Sequence, residues 1–323
     1  MMFRHFPGIF LILLILMPFM AECKTLQTSY IIPPVSEDPD TADAAKWVQE
    51  ASSDCGDNII CLSARMSLLN SAMGTLMALP CAQTGNCSKE EDDVKSRAES
   101  EFIKLKRSIL NENTIINSDI LLERNYNNNR LNYIINKWMS AILKKCDAGE
   151  RTCILGRLWL MTQADQAVRN VAPCGGKSSS ACVSDRFRAI NDIDSKLNEM
   201  KKTIISQVKW PVSKIWGQTA SYDAWILVQH MDNDYLYQKS VLAFLLSQPC
   251  LPSQERQDVA YIIDRVELAQ NKKQLYGTQG KCINGRWEQF PTENNDSLNV
   301  RRQELGMETI EIYSKKASSI CGQ

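Results

Sequence analysis

The sequence predicts a mainly α-helical exported protein, with disulfide-stapled helix hairpins and a C-terminal helical domain carrying a few loops. Three observations carry this. From Lys46 onward apolar residues recur three and four apart, with Gly and Pro gathered in the gaps. The chain opens on a short basic start and an unbroken apolar run. It holds 12 cysteines in 323 residues, a usage that belongs to an oxidising compartment. Lys plus Arg and Asp plus Glu both number 37. That zero balance argues against a nucleic-acid partner, which needs a basic surplus. A hydrophobic share of 44% excludes a disordered chain.

In chain order, residues 1–23 read as a secretory signal peptide. Arg4 and His5 precede the apolar run Ile9 to Met17, which falls short of the ~20 residues that span a bilayer. Small Ala21 and Cys23 favour cleavage after Cys23, leaving an odd cysteine. Cleavage after Ala21 keeps all 12. No later stretch reads as a membrane span, so a periplasmic or extracellular protein without a transmembrane segment is expected. Residues 24–45, with Pro33, Pro34 and Pro39, read as an extended leader. No stretch alternates as a strand does.

Residues 46–132 and the chain from 133 onward begin with similar segments. Trp47, Cys55, Cys61 and Arg65 match Trp138, Cys146, Cys153 and Arg157, and Cys81 and Cys87 match Cys174 and Cys182. The offset stays at 91 to 93 residues, the mark of an internal duplication. The Asn-rich stretch 123–132 joins the copies, and the second copy merges with the C-terminal domain over 133–323. Each cysteine pair brackets a short polar loop. The expected pairings are Cys55–Cys61, Cys81–Cys87, Cys146–Cys153 and Cys174–Cys182. The x5 to x7 spacing without a nearby His fits zinc poorly. Cys250, Cys282 and Cys321 remain, and with Cys23 removed one of them lacks a partner.

Polar residues on apolar stripes mark the second half. Asp165 lies on the stripe of Ile154, Leu158, Met161 and Val168, with Arg169 four residues on, a spacing that pairs on one helix face. Asp194 sits between Ile190 and Leu197 on the next stripe. The first copy carries Met73 and Met77 where the second has Asp165 and Arg169. Gln229 and His230 end a buried helix. Asp232 is read as the cap of the following helix and Asp234 as the complement of its dipole. Convergence of His230, Asp232 and Asp234 on a ligand or hard cation is the rival reading, with too few donors for a closed metal site. Asp264 and Arg265 lie in an apolar helical run. Tyr276, Thr278 and Gln279 follow in a loop, and Gly306 ends a short helix carrying Arg302.

These segments together resemble the bacterial domain-of-unknown-function family 6624. The resemblance rests on ADQAVR (164–169), WPVSKIWGQTA (210–220), AWILVQHMDND (224–234), Gln238, Asp264–Arg265, QLYGTQ (274–279) and RRQELGM (301–307), in order across about 150–315. Family members usually read QHAD where this chain reads QHMD. The resemblance implies a helical domain with a polar site and supplies no activity. The stapled helices of the first half are similar, more loosely, to small exported helical lysozyme inhibitors.

Two functions are expected from these residues. In one, His230 is a general acid or base, since imidazole titrates near neutral pH, and Asp264 or Asp194 orients it. Arg169, Arg265 or Arg302 then clamps an anionic group, while Asp165, Gln229, Asp232, Tyr276, Thr278 and Gln279 complete a site for a small polar envelope ligand such as a glycan or peptidoglycan fragment. In the other, the polar residues form a structural network and the outer helices engage a protein partner. No metal and no cofactor is expected. G-x-S-x-G, Walker, H-E-x-x-H and dinucleotide motifs are missing from the sequence.

Overall fold

The computed structural model describes residues 30, 32–56, 58–111, 138–143, 150–170 and 180–321. The signal peptide, residues 24–29 and 31 of the leader, the Asn-rich connector, Cys146, Cys174 and the Cys182 side chain lie outside the described residues. The described chain is mainly helical.

The leader is extended and docked. Ile32, Pro33 and Pro34 are buried, Val35 bridges Leu251 in parallel, and Arg256 donates from Nε to the Pro33 carbonyl at 3.0 Å. Helix α1 (Thr41–Glu50) starts within the segment read as leader, because Asp40 and Asp43 form a capping box there. Lys214 pairs with both carboxylates, at 3.0 and 2.8 Å.

Helices α2 (Ile59–Ala78), α3 (Pro80–Thr84) and α4 (Lys89–Asn111) complete the described first copy. By length and composition α2 could cross a bilayer, which the reading of the sequence did not count. In the fold, most of it is buried against α1 and against α5 (Arg151–Asn170). Gly156 of α5 makes that approach possible, since a Cβ there would stand 2.0 Å from the Ile60 carbonyl oxygen. Disulfides Cys55–Cys61 and Cys81–Cys87 are both formed. Cys153 is also disulfide-bonded.

The two copies share one core. Trp47 and Leu69 from the first pack in the same cluster as Trp138, Leu155, Leu158 and Leu197 from the second. Burying each large apolar side chain contributes roughly 1.5–3 kcal/mol. The counterpart residues are alike in burial: Trp47 and Trp138, and Arg65 and Arg157, are all inside.

Helix α6 (Ser180–Val208) leads through the short α7 (Ser213–Trp216) into α8 (Gln218–Gln229), α9 (Tyr235–Leu246) and α10 (Ser253–Ala269). Ile205, Val228, Leu242, Ile263 and Tyr276 form a second core, with Ile32 of the leader. Gly217, at φ +96°, lets the chain turn against Ser71, whose hydroxyl accepts from the Thr219 N–H at 3.0 Å.

One correction concerns strands. Residues Gly280–Ile283 (β1) and Arg286–Gln289 (β2) form an antiparallel hairpin. Its turn is Asn284–Gly285, both at positive φ, the dipeptide that favours a two-residue hairpin. Helices α11 (Leu298–Glu304) and α12 (Ile310–Cys321) close the chain, with Gly306 at φ +70° after α11 as expected. Cys282 of β1 and Cys321 of α12 are joined by a disulfide, and Cys250 is disulfide-bonded as well. No cysteine among the described residues is free.

Candidate functional site: a buried carboxylate that holds one histidine

Three helices converge on Asp165, which is fully buried in α5. Arg169, one turn on, donates from Nε and Nη2 to its two oxygens at 3.1 Å each. The same Nη2 reaches both oxygens of Asp194 on α6, at 2.7 and 2.9 Å. Lys201, one helical repeat beyond Asp194, is buried. Its Nζ stands 3.4 Å from Asp194 and 3.6 Å from Asp165. His230, at the C-terminus of α8, brings Nδ1 to 2.5 Å from Asp165 Oδ2.

The electrostatics follow from this geometry. Burial pushes the Asp165 carboxyl up. The hydrogen bond and charge of His230, the Arg169 bond and the charge of Lys201 more than offset it, holding the group well below the usual carboxylate range. Burial likewise opposes the charge of Arg169, and its two aspartate partners raise it above its ordinary value. Asp165 is therefore an anion that accepts the His230 Nδ1–H, and Nε2 is the ring nitrogen left on the side away from it. The His230 side chain is 18% exposed, and Nε2 has no partner among the described residues.

Gln229, Asp232 and Arg265 adjoin the histidine. Arg265 donates from Nε to Gln229 Oε1 at 3.3 Å and from Nη1 to Asp232 Oδ1 at 2.6 Å. Gln229 Nε2 is buried without a hydrogen-bond partner among the described residues. Asp234, not Asp232, caps α9, accepting from the Tyr237 N–H at 3.1 Å; it also pairs with Lys202 at 2.6 Å. Asp232 and Asp234 are thus each held by a cation and do not converge with His230.

The remaining predicted residues do a different job. Asp264 is fully buried and accepts from the Leu275, Tyr276 and Thr278 N–H groups and the Thr278 hydroxyl, at 2.7 to 2.9 Å. Burial raises its pKa against those bonds. The carboxylate that orients His230 is accordingly Asp165, and neither Asp264 nor Asp194 does so. Gln279 is tied to Gln274 and Thr278. Arg302 donates to the Glu308 and Tyr276 carbonyls at 2.7 and 2.6 Å, and Tyr276 is buried. These groups hold the 274–279 loop.

Sequence reasoning missed Lys201, whose signal is its seven-residue spacing from Asp194 on one face. It also missed Asp223 on α8, which is buried with Oδ2 unpartnered. Burial, against a hydrogen bond from Thr162, pushes Asp223 up to about 8.

The fold and this cluster define a helical, disulfide-stapled protein whose C-terminal half is built around paired buried charges. The family of unknown function DUF6624 matches residues 154–322, and the chain belongs to it. That span starts inside α5 and contains Asp165, His230, Asp264 and Arg302. No curated protein and no solved structure matches the chain.

Proposed function

We propose that the protein is exported to the periplasm or cell exterior and binds or processes a small polar envelope ligand, a glycan or peptidoglycan fragment, at His230. One observation carries this reading: the 2.5 Å contact between His230 Nδ1 and the sealed Asp165 carboxylate. A buried anion behind an imidazole orients the ring and presents Nε2 outward, which is what a general base or hydrogen-bonding anchor requires. Gln229, Asp232 and Arg265 supply amide, carboxylate and guanidinium groups beside it. Disulfides among the described cysteines fit an oxidising compartment, and residues 1–23 have the pattern of a signal peptide.

A second reading is favoured by a specific observation. Asp264, Gln274 and Arg302 are committed to backbone partners, so much of the polar constellation is structural. On that reading the protein is a non-enzymatic binding or inhibitor protein. The two are separated by His230→Gln, measured for melting temperature and for binding to a panel of muropeptides and oligosaccharides. Unchanged melting with lost binding is expected. Lost stability with no ligand bound by the wild type either would sink the first reading.

A further inference from the structure

A cleft of about 290 Å³ opens between α10, α11 and α12, lined by Gln257, Tyr261, Arg302, Glu308 and Tyr313 among others. Its size suits a small metabolite or one end of a larger ligand. Arg302 forms part of its wall and is 1% exposed. Its guanidinium stacks 4.9 Å from the Tyr313 ring centroid. Nε and Nη1 are used on carbonyl oxygens, and Nη2 makes no hydrogen bond with the described residues. No carboxylate forms an ion pair with it there. Asp264 is spent on loop N–H groups, and Glu308 is engaged by Lys316.

The charges of Asp264 and Glu308 act on it only from beyond ion-pair distance, and a buried guanidinium without a direct carboxylate partner is costly. Carbonyl oxygens satisfy its hydrogen bonds but do not neutralise its charge. Tyr261 and Tyr313 stand edge to face, 6.3 Å between centroids, on the same cleft. Trp225 lies edge-on to Tyr261 at 5.4 Å and Trp287 edge-on to Tyr313 at 5.4 Å, so aromatic surface continues on both sides. From this geometry we infer that the cleft binds a small organic carboxylate, whose anionic end meets Arg302 Nη2 and whose body lies against the tyrosine rings. One guanidinium suits a singly charged carboxylate; a doubly charged phosphate calls for more cations than the cleft offers. The inference shares the premise that the C-terminal half holds a small polar ligand, but it does not involve His230.

The test is calorimetric titration of the full chain with benzoate, inorganic phosphate and glucose. Saturable benzoate binding is expected, with phosphate at least tenfold weaker and glucose silent. Arg302 also holds two carbonyls, so its replacement can unfold the loop. Tyr261→Ala removes no carbonyl contact, and Gln257→Ala removes a single exposed one, to Gly306; each is expected to weaken benzoate at least fivefold with melting within a few degrees of wild type. His230→Gln is expected to bind benzoate as wild type does, so failure at one site is distinguishable from failure at the other. Absence of benzoate binding to the folded protein, binding unaffected by both cleft variants, or phosphate binding as tightly as benzoate would overturn the assignment.

Discussion

Asp165 and His230 lie 65 residues apart in the chain and 2.5 Å apart in the fold. The contact exists because α8 packs on α5, placing the last turn of one helix against a buried position of the other. Asp165 also holds Arg169 and faces Lys201, so three side chains meet on one anion.

Removing that anion leaves Arg169 and Lys201 to share Asp194 alone. Asp165→Ala is expected to cost about 3–5 kcal/mol, measured by urea denaturation. The first copy shows a tolerated alternative, with partly buried Met73 and exposed Met77 at the corresponding positions. The double variant Asp165→Met with Arg169→Met is therefore expected to be more stable than Asp165→Met alone, leaving Asp194 with Lys201 at 3.4 Å. A double variant no better than the single one would mean that the copies do not share this position.

The same carboxylate sets an acid limit. Its folded pKa lies below the ordinary 3.8, so its stabilising contribution is present above that pH and is lost as pH falls below it. Asp223 has the opposite sign. Its folded pKa is raised from 3.8 to about 8. Between those values the unfolded chain has lost a proton that the folded chain keeps, and stability falls as pH rises through that window. Asp223→Asn is expected to flatten that slope and to be more stable than wild type at pH 7. An unchanged slope from pH 5 to 8 would contradict the assignment.

Gly156 tests the packing of the two copies. Its Cβ would lie 2.0 Å from a backbone oxygen of α2 and 2.8 Å from the adjoining carbon, atoms that cannot rotate away. Gly156→Ala normally favours a helix; here it is expected to destabilise by about 1–3 kcal/mol, read as a lower denaturation midpoint.

The C-terminal disulfide closes a 39-residue separation. Paired replacement of Cys282 and Cys321 by Ser is expected to cost about 2–4 kcal/mol and to raise hydrogen exchange first in β1, β2 and α12. Uniform loss of protection across the first copy would show that the staple supports the whole molecule.

Helix periodicity exposed the mainly α fold, and the Asp165–Arg169 pair was legible because four residues on a helix bring two side chains together. Lys201 follows the same arithmetic at seven residues, but beside Lys202 and Glu199 it reads as part of a solvated charged face. The meeting of Asp165 with His230 was not legible, since it depends on how two helices pack rather than on spacing within either. The Asn284–Gly285 hairpin carried a local signal, hidden by short strands whose faces are largely exposed. Asp264 was read as chemistry because a buried acid looks alike in sequence whether it meets a ligand or four donors of its own loop. Asp234 displaced Asp232 as cap because Arg265, distant in sequence, holds Asp232.

The most direct test of the account is the imidazole of His230. The whole chain contains two histidines, so long-range proton–nitrogen NMR on histidine-labelled protein reads this ring with little overlap. The account predicts a far-downfield Nδ1 proton shielded from exchange, and loss of that signal in Asp165→Asn. A ring protonated at Nε2 alone, or a spectrum indifferent to Asp165→Asn, would contradict it.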